Sequence, residues 1–386
     1  MLSANGRISW SRRRWSGGNA GSDCPVDKLV DETETAVSVG LRQLCCREGT
    51  QARSFARGRE NLKHAAQLDA GEELFRQIVE SEGKAVLKAS ESGQLELDWS
   101  GAQCVAQTPE GQSTTRLYAS ADGVLVPTTT QAEKDRRRET TKKWRQDTPR
   151  AQRGKLKRLP PVKKGADQRY KQIYLSAFYD QSQEHRLVGV TRRQIQGLEK
   201  LLRREAERVG LLWAKERLGL IDGAACLKSA LEVLPLLLIL LDFYHLSEHV
   251  GQAAAETLGS PETPPCKDWL DQVLHTVRHE GYAPFFQQLL DWRTKLRGHK
   301  RQAADALLGY VAPRKEMIQY DQCDQKGWDV GSGPMESMCG VTTDRIKGRG
   351  RRWDLDNAES LMALEALYQS TGLWDRYWGD AFCHRN

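Results

Sequence analysis

The sequence predicts an α/β protein in which a mixed β-sheet is covered by helices and followed by a helical insertion. Five segments show the alternating or short apolar pattern of strands, at 116–127, 174–179, 185–191, the run that ends in Asp222, and 236–241. Leucines at helical spacing mark a helix at 193–209, and a polar helical pattern begins after Asp242.

With a further helix at 224–231, the order of these elements is strand, strand, strand, helix, strand, helix, strand. That is the order of an RNase H-like fold, in which helices cover a mixed sheet. The polar pattern after Asp242 is then an insertion into this fold. A final pair of helices, at 334–347 and 356–369, completes the prediction.

Helical periodicity also runs from about residue 32 to residue 88. Three short helices of this kind suit a helix-turn-helix DNA-binding module, and they suit any small helical bundle as well. Asp69 and Glu72 have the spacing of a capping box at the start of the third helix, and Asp356 and Glu359 have the same spacing near the end of the chain.

We therefore expect five regions along the chain. They are a disordered tail at 1–30, a helical, helix-turn-helix-like region at 31–90, the first part of the sheet domain at 91–243, the helical insertion at 244–325, and the remaining helices of the sheet domain at 326–386.

The composition is that of a globular protein whose positive charge is concentrated in one place. Among the 386 residues, 39% are apolar and 28% are charged, and the net charge is +7. Residues 131–171 contain 16 Lys and Arg against 5 Asp and Glu. Such a block is typical either of a solvated polar loop or of a surface that neutralises phosphates.

Several classes of protein are disfavoured. The longest apolar run, at 231–241, is interrupted by Glu232 and Pro235 and is shorter than the roughly 20 residues of a membrane helix. The N-terminal arginines are not followed by an apolar segment, which argues against a secretory signal. The nine cysteines include no C-x-x-C pair, which indicates reduced thiols. We expect a cytoplasmic protein with no membrane partner.

Three acidic residues stand out as candidates for chemistry. Asp122 and Asp222 each lie at or near a strand end and are followed by glycine, and Glu336 follows a Gly-Ser-Gly-Pro turn into a helix. Each feature alone is common in turns and helix starts. Together they supply the hard oxygen ligands that Mg²⁺ prefers. Two such ions about 4 Å apart support displacement at phosphorus, the chemistry that cuts and joins DNA.

At this point the chain resembles a known family. It is similar to the DDE transposases of prokaryotic insertion sequences, most closely the Kra-type group, whose layout is like that of Mutator-like transposases. The blocks that carry the resemblance are YASADGVLVP at 118–127, EKDRRR at 133–138, LIDGA at 220–224, LDFYHLSEH at 241–249, GSGPMES at 331–337, and RRW at 351–353. The glycine-flanked glutamate with its downstream tryptophan is the most specific of them.

The resemblance implies an RNase H-like catalytic domain whose catalytic and metal-binding carboxylates are Asp122, Asp222 and Glu336. It implies two Mg²⁺ ions, with Mn²⁺ as a substitute. Its partners would be the DNA of the element ends and of the target, bound by a homodimer or larger assembly. Asp242 and His245 match an Asp-x-x-His element that orients DNA in such enzymes.

Other DNA contacts are expected from basic residues after the first catalytic strand and after the glutamate helix. The residues predicted to contact DNA are Arg136, Arg137, Arg138, Lys142, Lys143, Arg349, Arg351, Arg352 and Trp353. Arg345 and Lys347 belong to the second group of basic residues. Each phosphate that such a surface neutralises adds affinity that depends on salt and not on sequence.

Two other functions stay open. One is a catalytically inactive, transposase-derived DNA-binding protein. The other is a zinc peptidase of the inverted type, because His245, Glu248 and His249 form an H-x-x-E-H pattern that places two histidines one helical turn apart. No third zinc ligand is evident for that pattern.

The second metal ligand is the sharpest choice that the sequence offers, because Asp222 and Asp242 both end apolar strands. In an RNase H-like sheet the second carboxylate ends the fourth strand, and that strand ends at Asp222. Asp242 follows the fifth strand. We therefore predict that Asp222→Asn lowers cleavage by several orders of magnitude with DNA binding retained, and that Asp242→Asn leaves cleavage measurable.

Overall fold

The computed structural model of the protein describes residues 37–153, 161–162 and 165–379, with short pieces at 2–4, 6–7, 15–16 and 22–23. Most of the predicted tail at 1–30 therefore lies outside the described residues. Its described pieces form two pairs of two-residue strands.

Three helices follow, as the periodicity predicted: α1 (Val39–Gln51), α2 (Phe55–Ala66) and α3 (Glu72–Glu91). The capping box predicted for α3 is wrong, because Gly71 is the N-cap and Asp69 pairs with Arg59. At Gly83, α3 approaches a later helix so closely that a Cβ atom would collide with the backbone of Ser360. The N-terminal helices thus share one hydrophobic core with the rest of the described chain.

The largest sheet of the described chain has six strands, most of them rich in β-branched and aromatic residues. They are β1 (Val105–Gln107), β2 (Ser113–Pro127), β3 (Tyr170–Tyr179), β4 (Arg186–Thr191), β5 (Glu216–Ile221) and β6 (Leu238–Leu241). The order is β6-β5-β2-β3-β4, with β1 paired to the first residues of β2. β1, β3 and β4 run antiparallel to their neighbours, whereas β5 and β6 run parallel to β2.

The remaining helices either connect the strands, form the insertion or close the chain. The first group is α4 (Gln131–Asp147), α5 (Gln194–Arg208) and α6 (Ala225–Leu231). The insertion is α7 (Phe243–Leu258), α8 (Pro264–His279), α9 (Tyr282–Thr294), α10 (Gly298–Val311), a 3₁₀ turn (Ala312–Met317) and α11 (Tyr320–Lys326). The closing helices are α12 (Gly333–Lys347), α13 (Leu355–Gln369) and α14 (Leu373–Trp378).

The capping box predicted for the closing helix pair is also wrong. The N-cap of α13 is Asp354. Arg192 holds the two acidic residues instead, with ion pairs from its side chain to Asp356 and Glu359. In both places the predicted capping residue instead forms an ion pair with an arginine outside the helix, Arg59 in the first case and Arg192 in the second.

The two faces of the sheet are covered by different helices. On one face, the space in front of Gly189 in β4 is filled by Leu201 of α5. Residue pairing places Gly189 in one row with Ser176 and Ala121, so α5 covers the Ala121 face. Asp122 points to the opposite face, because successive residues of a strand alternate. In the described part of the chain, no helix is both long and apolar enough to cross a membrane.

Candidate metal centre and nucleic-acid interface

Three aspartates lie in one row at the same edge of the sheet. Ser120 in β2 is opposite Leu220 in β5, so continuing this parallel register by two residues places Asp122 opposite Asp222. The same continuation from β5 to β6 places Asp242 beside Asp222. Neighbouring strands are about 4.8 Å apart, which brings the backbones of adjacent members of the row within about 5 Å.

Glu336 reaches this edge from α12. It lies in the first turn of the helix, and Cys339 follows one turn later. Burial raises the pKa of the Cys339 thiol, and the charge of Asp122, a hydrogen bond to Asp122 and the charge of Glu336 raise it further. Cys339 therefore interacts with Asp122, and α12 packs against β2, the strand that carries this aspartate.

Glu336 also belongs to a group of potential metal ligands that includes the Asp-x-x-His element. Ligand atoms of Asp242, His245 and Glu336 all lie within 4.8 Å of one another. Among the described residues, no such group of three contains Asp122 or Asp222. A site for two ions accepts wider spacing, because ions about 4 Å apart with bonds about 2 Å long take ligands up to roughly 8 Å apart.

Asp242 is nonetheless poorly suited to hold an ion directly. It is 1% exposed. Its Oδ1 accepts hydrogen bonds from the backbone N–H groups of Tyr244 (2.5 Å) and His245 (3.1 Å), and its Oδ2 accepts from both the N–H and the hydroxyl of Ser332. A carboxylate offers about four lone-pair positions, and these donors fill them. Asp242 therefore fixes the start of α7 and the turn that precedes α12.

Asp222, in contrast, keeps most of its capacity to accept. It is partly exposed, and its Oδ1 accepts one hydrogen bond, from the backbone N–H of Ala224 (2.9 Å). The insertion closes over this strand end. Arg314 donates from Nε to the carbonyl of Gly223 (3.0 Å), and burial raises the pKa of Tyr310, with the charges of Asp222 and Asp242 adding to the rise.

Among the described residues, three of the four carboxylates at this edge lack a basic partner, whereas Asp242 has His245 Nδ1 at 3.7 Å from its Oδ1. Within the described ranges, no ion pair of 4.0 Å or less joins Asp122, Asp222 or Glu336 to a Lys, Arg or His side chain. Asp122 and Asp222 are partly exposed and Glu336 is exposed. Oxygen ligands on a rigid scaffold, open to water and without a neighbouring cation of the protein, fit a hard divalent ion such as Mg²⁺.

The basic block after β2 forms a helix that stands out from the body of the protein. None of the residues of α4 is buried, and Trp144 is 55% exposed. The helix carries the predicted DNA contacts Arg136, Arg137, Arg138, Lys142 and Lys143. In the described part of the chain α4 has no buried face, and its basic residues Arg136, Arg137, Lys142 and Lys143 are exposed.

This helix is joined at its base to the basic segment that follows α12. Arg352 pairs with Glu133, and Lys134 pairs with Asp354 (2.5 Å). The backbone N–H of Thr129 donates to the carbonyl of Trp353 (2.9 Å). The two groups of basic residues predicted separately from the sequence are therefore neighbours, and both adjoin the strand that carries Asp122.

Two residues of the second basic region, Arg345 near the end of α12 and Trp353 after this helix, have structural roles. Trp353 is 9% exposed and donates from Nε1 to the carbonyl of Ile346 (3.1 Å). Arg345 is buried, donates to the carbonyl of Arg53 (3.1 Å) and lies over the rings of Phe55 and Trp353. Burial lowers the pKa of Arg345 to about 10. Arg345 is therefore not free to grip phosphate, and a DNA contact by Trp353 stays a prediction.

The remaining members of the segment are more accessible. Arg349 and Arg352 are exposed, and Arg351 is partly exposed while its Nη1 donates to the carbonyl of Arg345 (2.6 Å). Of these three arginines, Arg352 reaches the base of α4 through its ion pair with Glu133. Their predicted contacts with DNA stay predictions.

The two histidines of the H-x-x-E-H pattern face different neighbours. His245 lies with Asp242 and Glu336, whereas the His249 ring stacks on Tyr310 with 3.7 Å between centroids. Glu248 is exposed. No potential metal-ligand group in the described residues contains both histidines. This arrangement does not favour the zinc peptidase.

No protein-family model and no curated protein matches the sequence.

Sequence reasoning missed three features of the site. Thr130 and Glu133 form a reciprocal capping box that starts α4, and the Thr-x-x-Glu spacing was visible in the sequence. The contact of Cys339 with Asp122 and the saturation of Asp242 by Ser332 have no local signal. Both depend on how α12 docks on β2 and β6.

Proposed function

We propose that this protein is a transposase of the DDE type, which binds the ends of a mobile DNA element and cuts and rejoins DNA with divalent metal ions. The observation that carries the proposal is the position of Asp122 and Asp222 at adjacent parallel strands, with Glu336 close to Asp242 on the helix that packs against β2. None of the three has a basic partner in the described part of the chain. Structural carboxylates are commonly paired when they converge in this way, whereas metal ligands are not.

An RNase H-like core is part of the same proposal. It is supported by three antiparallel strands, β2, β3 and β4, followed by β5 and β6 parallel to β2, in the order β6-β5-β2-β3-β4. This topology makes the first and fourth strands of the core neighbours. It explains how carboxylates that are far apart in the sequence come to one edge.

In this proposal Asp122, Asp222 and Glu336 hold the ions. Two bound Mg²⁺ ions would activate the attacking oxygen and stabilise the leaving oxygen at a DNA phosphorus. The protein contributes a rigid frame: Asp242 holds the turn at Ser332, and that turn sets the direction in which Glu336 leaves α12. Accurate positioning of this kind accounts for a large share of catalysis in displacement reactions.

DNA would lie along α4 and the arginines at its base. The exposed cations of α4 neutralise phosphates, and the two ion pairs to the segment after α12 fix the helix relative to Asp122. Because a mobile element has two ends, we expect two or more copies of the protein to act together on DNA. The N-terminal helices α1–α3 would add a second DNA contact.

The test uses purified protein and the DNA that flanks its reading frame. We expect inverted repeats in that DNA, and we expect Mg²⁺ or Mn²⁺ to support cleavage at the repeat ends and joining to a second DNA molecule. Ca²⁺ should permit binding without efficient chemistry, because its bonds are longer and its coordination looser. Binding without any metal-dependent cleavage would favour the DNA-binding protein that lacks activity, and cleavage in EDTA would contradict the metal site.

A further inference from the structure

A second group of metal-ligating side chains lies at the opposite end of β2. Ligand atoms of Cys104, Asp180 and His185 are all within 4.8 Å of one another. Cys104 immediately precedes β1, and Asp180 and His185 flank the loop between β3 and β4. Tyr179 pairs with Tyr118, so the loop begins about five residues, or roughly 17 Å, along β2 from Asp122.

The group is held in place from several directions. Asp180 accepts from His185 Nδ1 at Oδ2 (2.9 Å) and from the His185 backbone N–H at Oδ1 (3.2 Å). The carbonyl of Cys104 accepts from the backbone N–H of Arg116 (2.8 Å), which ties it to β2. Ligands from two chain segments, the residue before β1 and the loop between β3 and β4, are thus brought together by the fold.

The surroundings are closed. Cys104 is 0% exposed and Asp180 is 2% exposed. The Trp99 ring lies against His185 with 5.3 Å between centroids, and Trp99 Nε1 is buried without a hydrogen-bond partner among the described residues. A buried donor without a partner is uncommon in a folded protein, and this one belongs to a ring that contacts the group at His185.

We propose that Cys104, Asp180 and His185 bind a structural Zn²⁺ ion. A thiolate, an imidazole nitrogen and a carboxylate oxygen are all zinc ligands, and the soft sulfur disfavours Mg²⁺. The fourth position of a tetrahedral ion would be taken by water or by a backbone oxygen. A tetrahedral ion with bonds of about 2.0 Å needs roughly 3.3 Å between nitrogen and oxygen ligands, so the 2.9 Å pair of His185 and Asp180 must open by about 0.4 Å.

Two simpler uses of the group fit less well. A Cys-His-Asp nucleophile needs access for a substrate, and Cys104 has none. A plain hydrogen bond between Asp180 and His185 explains the loop but does not require a cysteine. Zinc binding accounts for all three side chains, and it would join the segment before β1 to the loop between β3 and β4.

The metal content of the full-length protein tests this inference without reference to DNA chemistry. Protein purified from zinc-supplemented medium should retain about one Zn²⁺ per chain after gel filtration. Cys104→Ser and His185→Gln should each lose it, whereas Asp222→Asn and His245→Ala, at the other end of the sheet, should keep it. Chelation should lower the melting temperature of the unmodified protein and leave that of Cys104→Ser unchanged.

Cobalt gives a readout that does not depend on how the variants fold. Co²⁺ added to metal-free, otherwise unmodified protein should produce a thiolate-to-cobalt charge-transfer band, and prior addition of Zn²⁺ should prevent it. The inference is overturned if neither zinc nor cobalt binds, if cobalt binds without the thiolate band, or if His245→Ala removes the zinc. The last result would assign the ion to the group with Asp242 and Glu336.

Discussion

Two charged residues of β2 differ in whether they have an ion-pair partner. Near its start, Arg116 is 0% exposed. Its guanidinium donates hydrogen bonds to Glu216 (2.7 Å) and to the carbonyls of Gly327 (2.5 Å) and Lys326 (3.0 Å). Further along, Asp122 is partly exposed and no basic side chain among the described residues pairs with it. A buried charge with an ion-pair partner supports stability, whereas a partly exposed carboxylate without one is available to an ion from solution.

The largest expected effect is on activity, at the end of the sheet where Asp122 and Asp222 lie. Asp222→Asn or Asp122→Asn keeps the shape of the side chain but removes the charge that a Mg²⁺ ion needs, so DNA cleavage should fall by several orders of magnitude. DNA binding and the melting temperature should change little. Asp271→Asn, at an exposed aspartate of α8, is the matched control and should cut normally. Normal cutting by Asp222→Asn would mean that this aspartate is not a metal ligand.

The next effect is on stability, near the start of β2, where Arg116 is buried. Arg116→Met removes a donor from Glu216 and from the carbonyls of Gly327 and Lys326, so the free energy of unfolding should fall by about 3–5 kcal/mol. The same change at the exposed Arg203 should cost less than about 0.5 kcal/mol. Chemical denaturation measures both. Arg116→Met combined with Glu216→Met should recover part of the loss, and no recovery would show that the ion pair is not its main cause.

Asp242→Asn should combine the two effects in weaker form. The amide nitrogen must face a backbone N–H, either that of Tyr244 and His245 or that of Ser332, so the free energy of unfolding should fall by about 1–3 kcal/mol. Cleavage should remain measurable at a temperature at which the variant is folded. If Asp242→Asn is inactive although fully folded and Asp222→Asn is active, the second metal ligand is Asp242.

The smallest effect concerns the exposed helix α4, which follows the strand that carries Asp122. Changing Arg136, Arg137, Lys142 and Lys143 of α4 to Gln should weaken DNA binding. The slope of log K against log salt should flatten by about 0.9 for each phosphate that the protein no longer neutralises. The same change at four exposed cations of the insertion, Lys267, Lys295, Arg297 and Lys300, is the control. Equal slopes for the two variants would remove α4 from the DNA interface.

The sequence predicted the elements better than it predicted the contacts between them. Period-2 and period-3.6 patterns indicated β2 to β6 and the helices after them, because those patterns record which face of an element is buried. The strand order expected of an RNase H-like sheet, and not these patterns, made Asp222 the expected partner of Asp122. Both predicted capping boxes failed, because Arg59 and Arg192 pair with the carboxylates in question.

Long-range contacts explain what the sequence did not indicate. The bond between Asp242 and Ser332, the contact of Asp122 with Cys339, and the approach of Cys104 to His185 each join distant chain segments. Neither cysteine belongs to a local motif, and Ser332, although it lies in the Gly-Ser-Gly-Pro turn, gives no sign in the sequence of its bond to Asp242. Their roles follow from the docking of α12 and of the loop between β3 and β4, which one sequence does not reveal.

We propose that Asp122, Asp222 and Glu336 hold divalent ions. Mapping the position of the bound metal on the protein itself tests this proposal most directly. Fe²⁺ in place of Mg²⁺, with ascorbate and peroxide, generates radicals that cut the polypeptide next to the ion. We expect cuts near residues 122, 222 and 336, suppressed by excess Mg²⁺ and lost in Asp222→Asn. Cuts confined to the neighbourhood of residues 104, 180 and 185, or cuts that Asp222→Asn does not change, would contradict the claim.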